Sequence, residues 1–161
     1  MQFLSKFLNW LKKSPKGSRQ TPVSVGGVVA RFVFDKRHVF AKTGMPKPAA
    51  FTPENHPTTG KLETSVCALN EMSGDRLCYL GHTIRANKKM FAVCDLPLSG
   101  IFSAGLECMS APDHAHNFPE HAVIVGWREG DDGKEKRLEA MQELAASVTL
   151  VRRSNDGITL V

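Results

Sequence analysis

The stretch that most constrains the fold is MFAVCDLP at residues 90–97, a nearly continuous apolar run. A basic cluster precedes it and Pro97 ends it. A strand without polar alternation offers no face to water, so this run predicts a central strand that is buried on both faces. The rest of the chain must therefore supply elements that cover it.

Shorter β-type segments surround that run. Strands are predicted at residues 28–34, 63–69, 105–109 and 122–127. In the first of these, one apolar face alternates with a face that Arg31 interrupts. The C-terminal VTLVRRSNDGITLV places Asp-Gly between two β-branched runs, which predicts a hairpin. Residues 44–60 hold four prolines and predict a long surface loop with at most a short edge strand.

Two helices complete the expected fold. Ser73 is a suitable N-cap for a helix that runs to about Asn87, and a second helix is expected over 134–147. Their apolar faces consist of Leu77, Leu80 and Ile84 in the first and of Leu138, Met141, Leu144 and Ala145 in the second. These elements predict an α+β fold, with α/β as the alternative, built on a single mixed sheet of about five to seven strands.

The length of 161 residues allows one domain with a substantial core. The four cysteines, Cys67, Cys78, Cys94 and Cys108, lie in apolar segments and form no Cys-x-x-Cys pair. This pattern favours buried thiols in a reducing compartment, and hence a cytoplasmic protein, over a disulfide framework.

The N-terminal segment is both basic and amphipathic. Residues 1–20 hold five Lys or Arg and no acid, which leaves 16 basic residues to balance the 16 acids of 21–161. A helix over 1–14 would carry the apolar side chains Phe3, Leu4, Phe7, Leu8, Trp10 and Leu11, with Lys12 and Lys13 on its polar face. Such helices bind protein partners or anionic membrane surfaces, target organelles, or pack on their own domain. Residues 15–27 predict a linker, and 28–161 the folded domain.

A histidine cluster lies at residues 113–121, DHAHNFPEH. On an extended segment His114 and His116 would point to one side, and His121 could add a third zinc ligand. Glu120 is a candidate for a general base or for orienting a ligand, and His121 a candidate for catalytic proton transfer. The alternative is a polar loop that leads into a strand.

Basic residues also gather at 31–47 and at 85–89. The first segment carries five Lys or Arg against Asp35, and it contains Arg37 and Lys42 as candidate binding residues and His38 as a second proton-transfer group. Both segments are candidates for binding nucleic acid. The alternative is that these cations are simply solvated.

Two functions of different classes follow from these patterns. In the first, the protein is a binding or accessory module that residues 1–14 tether to a larger protein partner or to a membrane surface. In the second, it is a small His-dependent hydrolase or nuclease that acts on a phosphate-containing or nucleic-acid substrate, with zinc as a candidate cofactor. The sequence favours the first, because the N-terminal segment is its most specific signal.

Overall fold

The computed structural model describes residues 22–23, 27–70, 72–85, 87–155 and 159–160. The predicted helix at 1–14 and most of the predicted linker lie outside these residues. The described strands are β1 (Val28–Val33), β2 (Glu54–Asn55), β3 (Leu62–Ala68), β4 (Ala92–Pro97), β5 (Glu107–Ser110), β6 (His121–Val125), β7 (Leu150–Asn155) and β8 (Thr159–Leu160). The helices are α1 (Gly74–Thr83), α2 (Leu98–Ser103) and α3 (Lys134–Ser147), with 3₁₀ helices at Lys36–His38 and Pro48–Phe51.

The strands form one sheet in the order β5-β6-β3-β1-β4-β7-β8, and β2 pairs with the start of β3. The α+β class is confirmed. The sheet was predicted to be mixed, but every pairing between the described strands is antiparallel. Helices α1 and α3 do connect strands of equal direction, β3 to β4 and β6 to β7. In each case antiparallel strands lie between the two, so no parallel ladder forms.

Strand β4 is central and is buried on both faces, as its apolar run predicts. Cys94 and Leu96 belong to one core cluster and Val93 to the other. Helices α2 and α3 and the 3₁₀ helix Pro48–Phe51 cover the first face, whereas α1 covers the second. The molecule is thus a sheet between two helical layers, a common way to bury both faces of a strand.

The predicted helices form with small differences. The Ser73 hydroxyl accepts a hydrogen bond from the Arg76 amide at 3.2 Å and caps α1, which ends at Thr83, before the predicted Asn87. The bounds of α3 agree with the prediction, and so does most of its buried face, because Leu144 and Ala145 are buried and Met141 packs against the core. Leu138 is the exception, since it is 50% exposed, and Ala140 is buried in addition.

The proline-rich segment is less superficial than predicted. Its short edge strand exists as β2, yet the 3₁₀ helix Pro48–Phe51 inserts Phe51 fully into the core. Val23, which falls in the predicted linker, is also buried, and its amide donates to the Cys108 carbonyl at 3.1 Å. Helix α2 was not predicted. The 3₁₀ helix Pro48–Phe51 and helix α2 are both short apolar segments, and they are too short for their sequences to show a periodic hydrophobic pattern.

Burial governs the chemistry of the cysteines, all of which carry free thiols. Desolvation raises the pKa of Cys67, Cys94 and Cys108 to about 12, so these three thiols stay protonated at neutral pH. Cys78 is half-buried. In the described part of the chain, none of the helices combines the length and the apolar character needed to cross a membrane.

Candidate functional site

The histidine cluster lies in the loop between β5 and β6, which pair as antiparallel neighbours. Asp113 and Phe118 close this loop through two backbone hydrogen bonds of 2.9 and 2.8 Å. Asn117 turns the chain with a φ of +52°, a conformation that Asn tolerates better than most residues. The segment is therefore a compact hairpin loop rather than the extended strand assumed for paired ligands.

The histidines of this loop point to different partners. His116 Nδ1 lies 2.7 Å from Asp113 Oδ2, and the His116 amide donates to the same carboxylate at 3.2 Å. His121 Nδ1 donates to the Ala111 carbonyl at 2.7 Å, and its ring contacts Phe118. His114 is exposed. The contacts of His116 and His121 are local and hold the loop in shape.

Glu120 forms an ion pair with α1. Arg76 donates from Nε and Nη2 to the two carboxylate oxygens at 3.1 and 3.0 Å, and its Nη2 also donates to the Asn117 carbonyl at 2.7 Å. The hydrogen bonds from Arg76 lower the pKa of Glu120 against the opposing effect of desolvation. A carboxylate held in this way is a weak proton acceptor, and its ion pair with Arg76 connects the loop to helix α1.

The predicted catalytic and metal residues do not converge. Among the residues that the structure describes, no three His, Cys, Asp or Glu side chains are grouped so that they could hold a metal ion, and His114, His116 and His121 are no exception. His38 follows the C-terminal end of β1. His121 pairs with Cys67 on β3, and Cys67 in turn pairs with Ala30 near the start of β1. His38 and His121 therefore lie towards opposite ends of the sheet.

The predicted basic segments are partly neutralised within the fold. Arg37 donates to the Asp35 carboxylate at 2.6 Å, and Arg85 pairs with Glu54 at 3.4 Å. Arg31 is turned inward and donates to backbone carbonyls. These contacts leave less free positive charge for a phosphate backbone than the sequence suggests. Lys42 is exposed and lines an open groove.

That groove lies between the loop at residues 41–45 and strand β7, and we call it the β7 groove. Its volume is about 550 Å³, and it is lined by Ala41, Lys42, Thr43, Gly44, Met45, Thr149, Leu150, Val151 and Arg153. Both charged residues of the lining, Lys42 and Arg153, are cations. Leu150 is 48% exposed and Met45 is 39% exposed, so the groove also offers apolar surface. This combination is typical of a binding surface for a partner rather than of a catalytic pocket.

The local fold fixes the shape of this groove. Gly44 has a φ of +74°, and a Cβ at this position would lie 2.6 Å from Arg153 Nη2. A side chain at residue 44 would therefore adopt an unfavourable backbone conformation and displace the exposed Arg153 guanidinium. Nearby, Lys47 Nζ lies 5.4 Å from the centre of the exposed Phe40 ring, which extends the basic and apolar surface.

Strand β7 has one edge that is largely unpaired among the described residues. On one side Leu150–Arg153 pair with β4, and β8 pairs only with Ser154 and Asn155. Within the described residues, no strand pairs with the outer edge of Leu150–Arg153. Every second residue of an antiparallel strand directs its N–H and C=O away from its partner, so this edge can accept another strand.

Sequence reasoning found Lys42 but missed Arg153, Leu150 and Gly44 as parts of the same groove. The available signal was the pair of arginines in the C-terminal strand, followed by a hairpin turn. Comparisons of the chain with protein-family models, with curated proteins and with solved structures give no significant match.

Proposed function

We propose that the protein is a binding or accessory module whose β7 groove takes an extended, acidic segment of a partner protein. The added segment would pair with Leu150–Arg153 as a further strand of the sheet. Residues 1–14 provide a second attachment, to the same partner protein. Two observations support the proposal: in the described part of the chain no strand pairs with the outer edge of Leu150–Arg153, and residues of the same strand line a groove whose two charged side chains are cations.

Backbone pairing and side-chain recognition have separate roles in this proposal. The outward N–H and C=O groups of Leu150–Arg153 supply hydrogen bonds that any extended segment can make. Lys42 and Arg153 select acidic side chains, while Leu150 and Met45 contact apolar side chains in between. Alternation of acidic and β-branched residues in the partner segment matches both requirements.

The charge of the edge favours a different protein over a second copy of the same chain. If two β7 strands paired in an antiparallel manner, Arg152 and Arg153 of one copy would lie close to the cations of the other. Like charges on paired strands destabilise the pairing. An acidic partner instead gains from the electrostatic attraction, which also accelerates association.

The hydrolase or nuclease alternative has less support from the geometry. Glu120 is held by Arg76, His121 donates to a backbone carbonyl, and His38 lies at a distance along the sheet. A general base must lie within hydrogen-bonding reach of the group that it deprotonates, and Glu120 and His121 are already engaged in contacts that hold the loop.

The test is a titration of the whole chain with a synthetic peptide of alternating glutamate and valine. We expect saturable binding, with shifts of the amide NMR signals of residues 41–45 and 149–153. A matched peptide with proline in place of each valine keeps the acidic charge, lacks half of the backbone N–H donors and disfavours strand pairing. It should bind at least about tenfold more weakly, a loss of roughly 1.4 kcal/mol.

Two charge-reversal variants make the test specific. The double variant Lys42→Glu with Arg153→Glu should weaken binding of the acidic peptide at least about tenfold, or roughly 1.4 kcal/mol. The matched control, Lys134→Glu with Lys136→Glu, makes the same change in charge on α3, outside the groove, and should leave the affinity nearly unchanged. Equal losses in both variants, or tighter binding of single-stranded DNA than of the peptide, would contradict the proposal.

The second attachment is tested by deleting residues 1–14. The described core begins at Val23, so we expect the truncated chain to keep a melting temperature close to that of the full chain. Binding of the isolated peptide should be unaffected, whereas affinity for the complete partner protein should fall. A large drop in melting temperature would show that residues 1–14 belong to the core, and binding of the full chain to anionic vesicles would indicate a membrane role instead.

A further inference from the structure

A polar cavity lies where the sheet splits between β1 and β3. These strands pair only at Val29 with Ala68 and at Ala30 with Cys67, and the start of β3 pairs with β2 instead. The gap encloses about 130 Å³ and is lined by Arg31, Thr52, Glu54, Asn55, His56, Pro57, Glu63, Thr64, Ser65 and Arg85. None of these residues lines the β7 groove, so the cavity is an independent feature.

Arg31 forms the inner wall of this cavity. Its Nε donates to the Ala50 carbonyl at 2.9 Å and its Nη1 to the Ser65 carbonyl at 2.8 Å, which ties both sides of the split together. Desolvation lowers the pKa of the Arg31 guanidinium to about 10, so it remains a cation at neutral pH. The two bonds fix the plane of the guanidinium, and a fixed fork of this kind suits a carboxylate.

The acidic wall is built by two cross-strand neighbours. Glu63 on β3 lies opposite Glu54 on β2, so both side chains project on the same side of this ribbon. Glu54 is paired with Arg85 at 3.4 Å. Desolvation raises the pKa of Glu63, while nearby His56 opposes that rise. Glu63 is thus a partly buried carboxyl without a close ion-pair partner among the described residues.

His56 contributes a directional donor. Its Nδ1 accepts hydrogen bonds from the amides of Thr58 and Thr59 at 3.2 and 3.1 Å. The neutral ring therefore carries its proton on Nε2. Because His56 lines the cavity, it adds a hydrogen-bond donor to a wall that otherwise carries two carboxylates.

The lining charges decide which ligand class fits. Two arginines and two glutamates give the cavity a formal charge of zero, so a simple anion or a simple cation would each meet like charge. We propose that the cavity binds a small zwitterion of the amino-acid class, with its carboxylate towards Arg31 and its ammonium group towards Glu63. The cavity volume of about 130 Å³ is close to that of an engineered cavity of about 150 Å³ that holds benzene, so it suits only a small amino acid.

The experiment is an NMR titration of the full chain with glycine and with alanine. We expect saturable shifts of the amide signals of residues 54–57 and 63–65, at concentrations below about 100 mM. Acetate and methylammonium each present one half of the zwitterion, so each should bind at least about tenfold more weakly. This comparison uses only the unmodified chain and does not depend on whether a variant folds.

A conservative variant identifies the acidic partner. Glu63→Gln keeps the shape of the side chain and removes its charge, and it should weaken glycine binding at least about tenfold. The control is Glu107→Gln, an exposed glutamate on strand β5 that does not line the cavity, and it should leave binding unchanged. The proposal is overturned by the absence of saturable shifts, by acetate binding as tightly as glycine, or by equal effects of the two substitutions.

Discussion

The loop at 113–121 and the β7 groove are opposites in the way they use their polar residues. The loop concentrates histidines and acids within a short stretch of sequence, yet Asp113, His116, Glu120 and His121 are all engaged in local or helix-directed contacts. The groove combines a few polar residues from distant parts of the chain, and Lys42 and Arg153 are exposed there. They lie on or near a strand whose outer edge has no partner over Leu150–Arg153 among the described residues. Density of reactive residue types and openness to a ligand are therefore separate properties.

The difference has a physical cause. The loop must satisfy its own backbone and orient β6, and charged side chains that help to do so lose their freedom to act on a ligand. Residues Leu150–Arg153 of β7 are held by their pairing with β4 and by the ion pair of Arg152 with Asp95. Within the described part of the chain, no strand pairs with the outer edge of these four residues. We accordingly expect substitutions in the two regions to affect different measurable properties.

The largest effect on stability is expected for the inner side of β7. Arg152→Met removes the partner of Asp95, a residue that is only 7% exposed, and leaves an unpaired buried carboxylate. We expect a loss of about 3 kcal/mol in the free energy of unfolding, measured by urea denaturation. Arg153→Met, the next residue on the same strand, is exposed and should cost less than about 0.5 kcal/mol.

The pH dependence of that loss has a defined sign. Desolvation raises the pKa of Asp95 above 3.8, and Arg152 opposes this effect, so removal of Arg152 should raise the pKa further. The charged form of Asp95 is the costly one in the variant. Its deficit relative to the native chain should therefore shrink as the pH falls through the raised pKa, and a deficit that grows at low pH would contradict this account.

A smaller effect is expected at Gly44, where the loop meets the groove. Gly44→Ala combines a positive φ with a Cβ that displaces the Arg153 guanidinium, and we expect a loss of about 1.5 kcal/mol. Gly60→Ala is the matched control, because Gly60 has a φ of +67° and open space around the missing Cβ. If the two variants lose the same stability, the close approach of the loop to β7 is not a constraint on the fold.

The ion pair between Glu120 in the loop and Arg76 in α1 should contribute still less to the free energy of unfolding. Glu120→Gln weakens the paired hydrogen bonds from Arg76, and since both side chains are about a quarter exposed we expect a loss of about 1 kcal/mol at neutral pH. Hydrogen bonds from Arg76 hold the pKa of Glu120 below 4.5, so this stabilisation is present above that value and is lost as the pH falls through the folded-state pKa. The stabilities of the variant and the native chain should therefore converge in acid. The control is Glu143→Gln, which changes an exposed glutamate on α3 and should alter the free energy of unfolding by less than about 0.5 kcal/mol at neutral pH.

The smallest effect is expected for His114, which is exposed. His114→Ala should change the free energy of unfolding by less than about 0.5 kcal/mol. A larger loss in thermal or urea unfolding would show that His114 takes part in shaping the loop.

Local signals predicted the elements that depend on local chemistry. The Ser73 cap and the apolar run of β4 each specify a structure through neighbouring residues, and each is found. The alternation at 28–34 correctly predicted strand β1, although both faces of that strand are largely buried. The burial of Phe51 could not be predicted, because it depends on a surface that distant strands create. The exposure of Leu138 could not be predicted for the same reason, since the sheet against which a helix packs determines which of its residues are buried.

The candidate sites, too, could be predicted only where they depend on residues that are neighbours in the sequence. Lys42 was recognised from local charge, but its neighbours in the groove come from the other end of the domain. The split between β1 and β3, which unites Arg31 with Glu63, follows from strand pairing and leaves no period in the sequence. The histidine cluster is conspicuous in sequence because its residues are close along the chain, and this proximity says little about where their side chains point.

The most direct test of the account measures the affinity of the alternating glutamate and valine peptide for two variants side by side. Glu120→Gln should bind the peptide as tightly as the native chain does, although it is less stable, because the loop serves the fold. Lys42→Glu combined with Arg153→Glu should keep its stability and lose at least about tenfold in affinity, or roughly 1.4 kcal/mol. The opposite pattern, with affinity lost in Glu120→Gln and retained in the groove variant, would contradict the assignment of binding to the β7 groove.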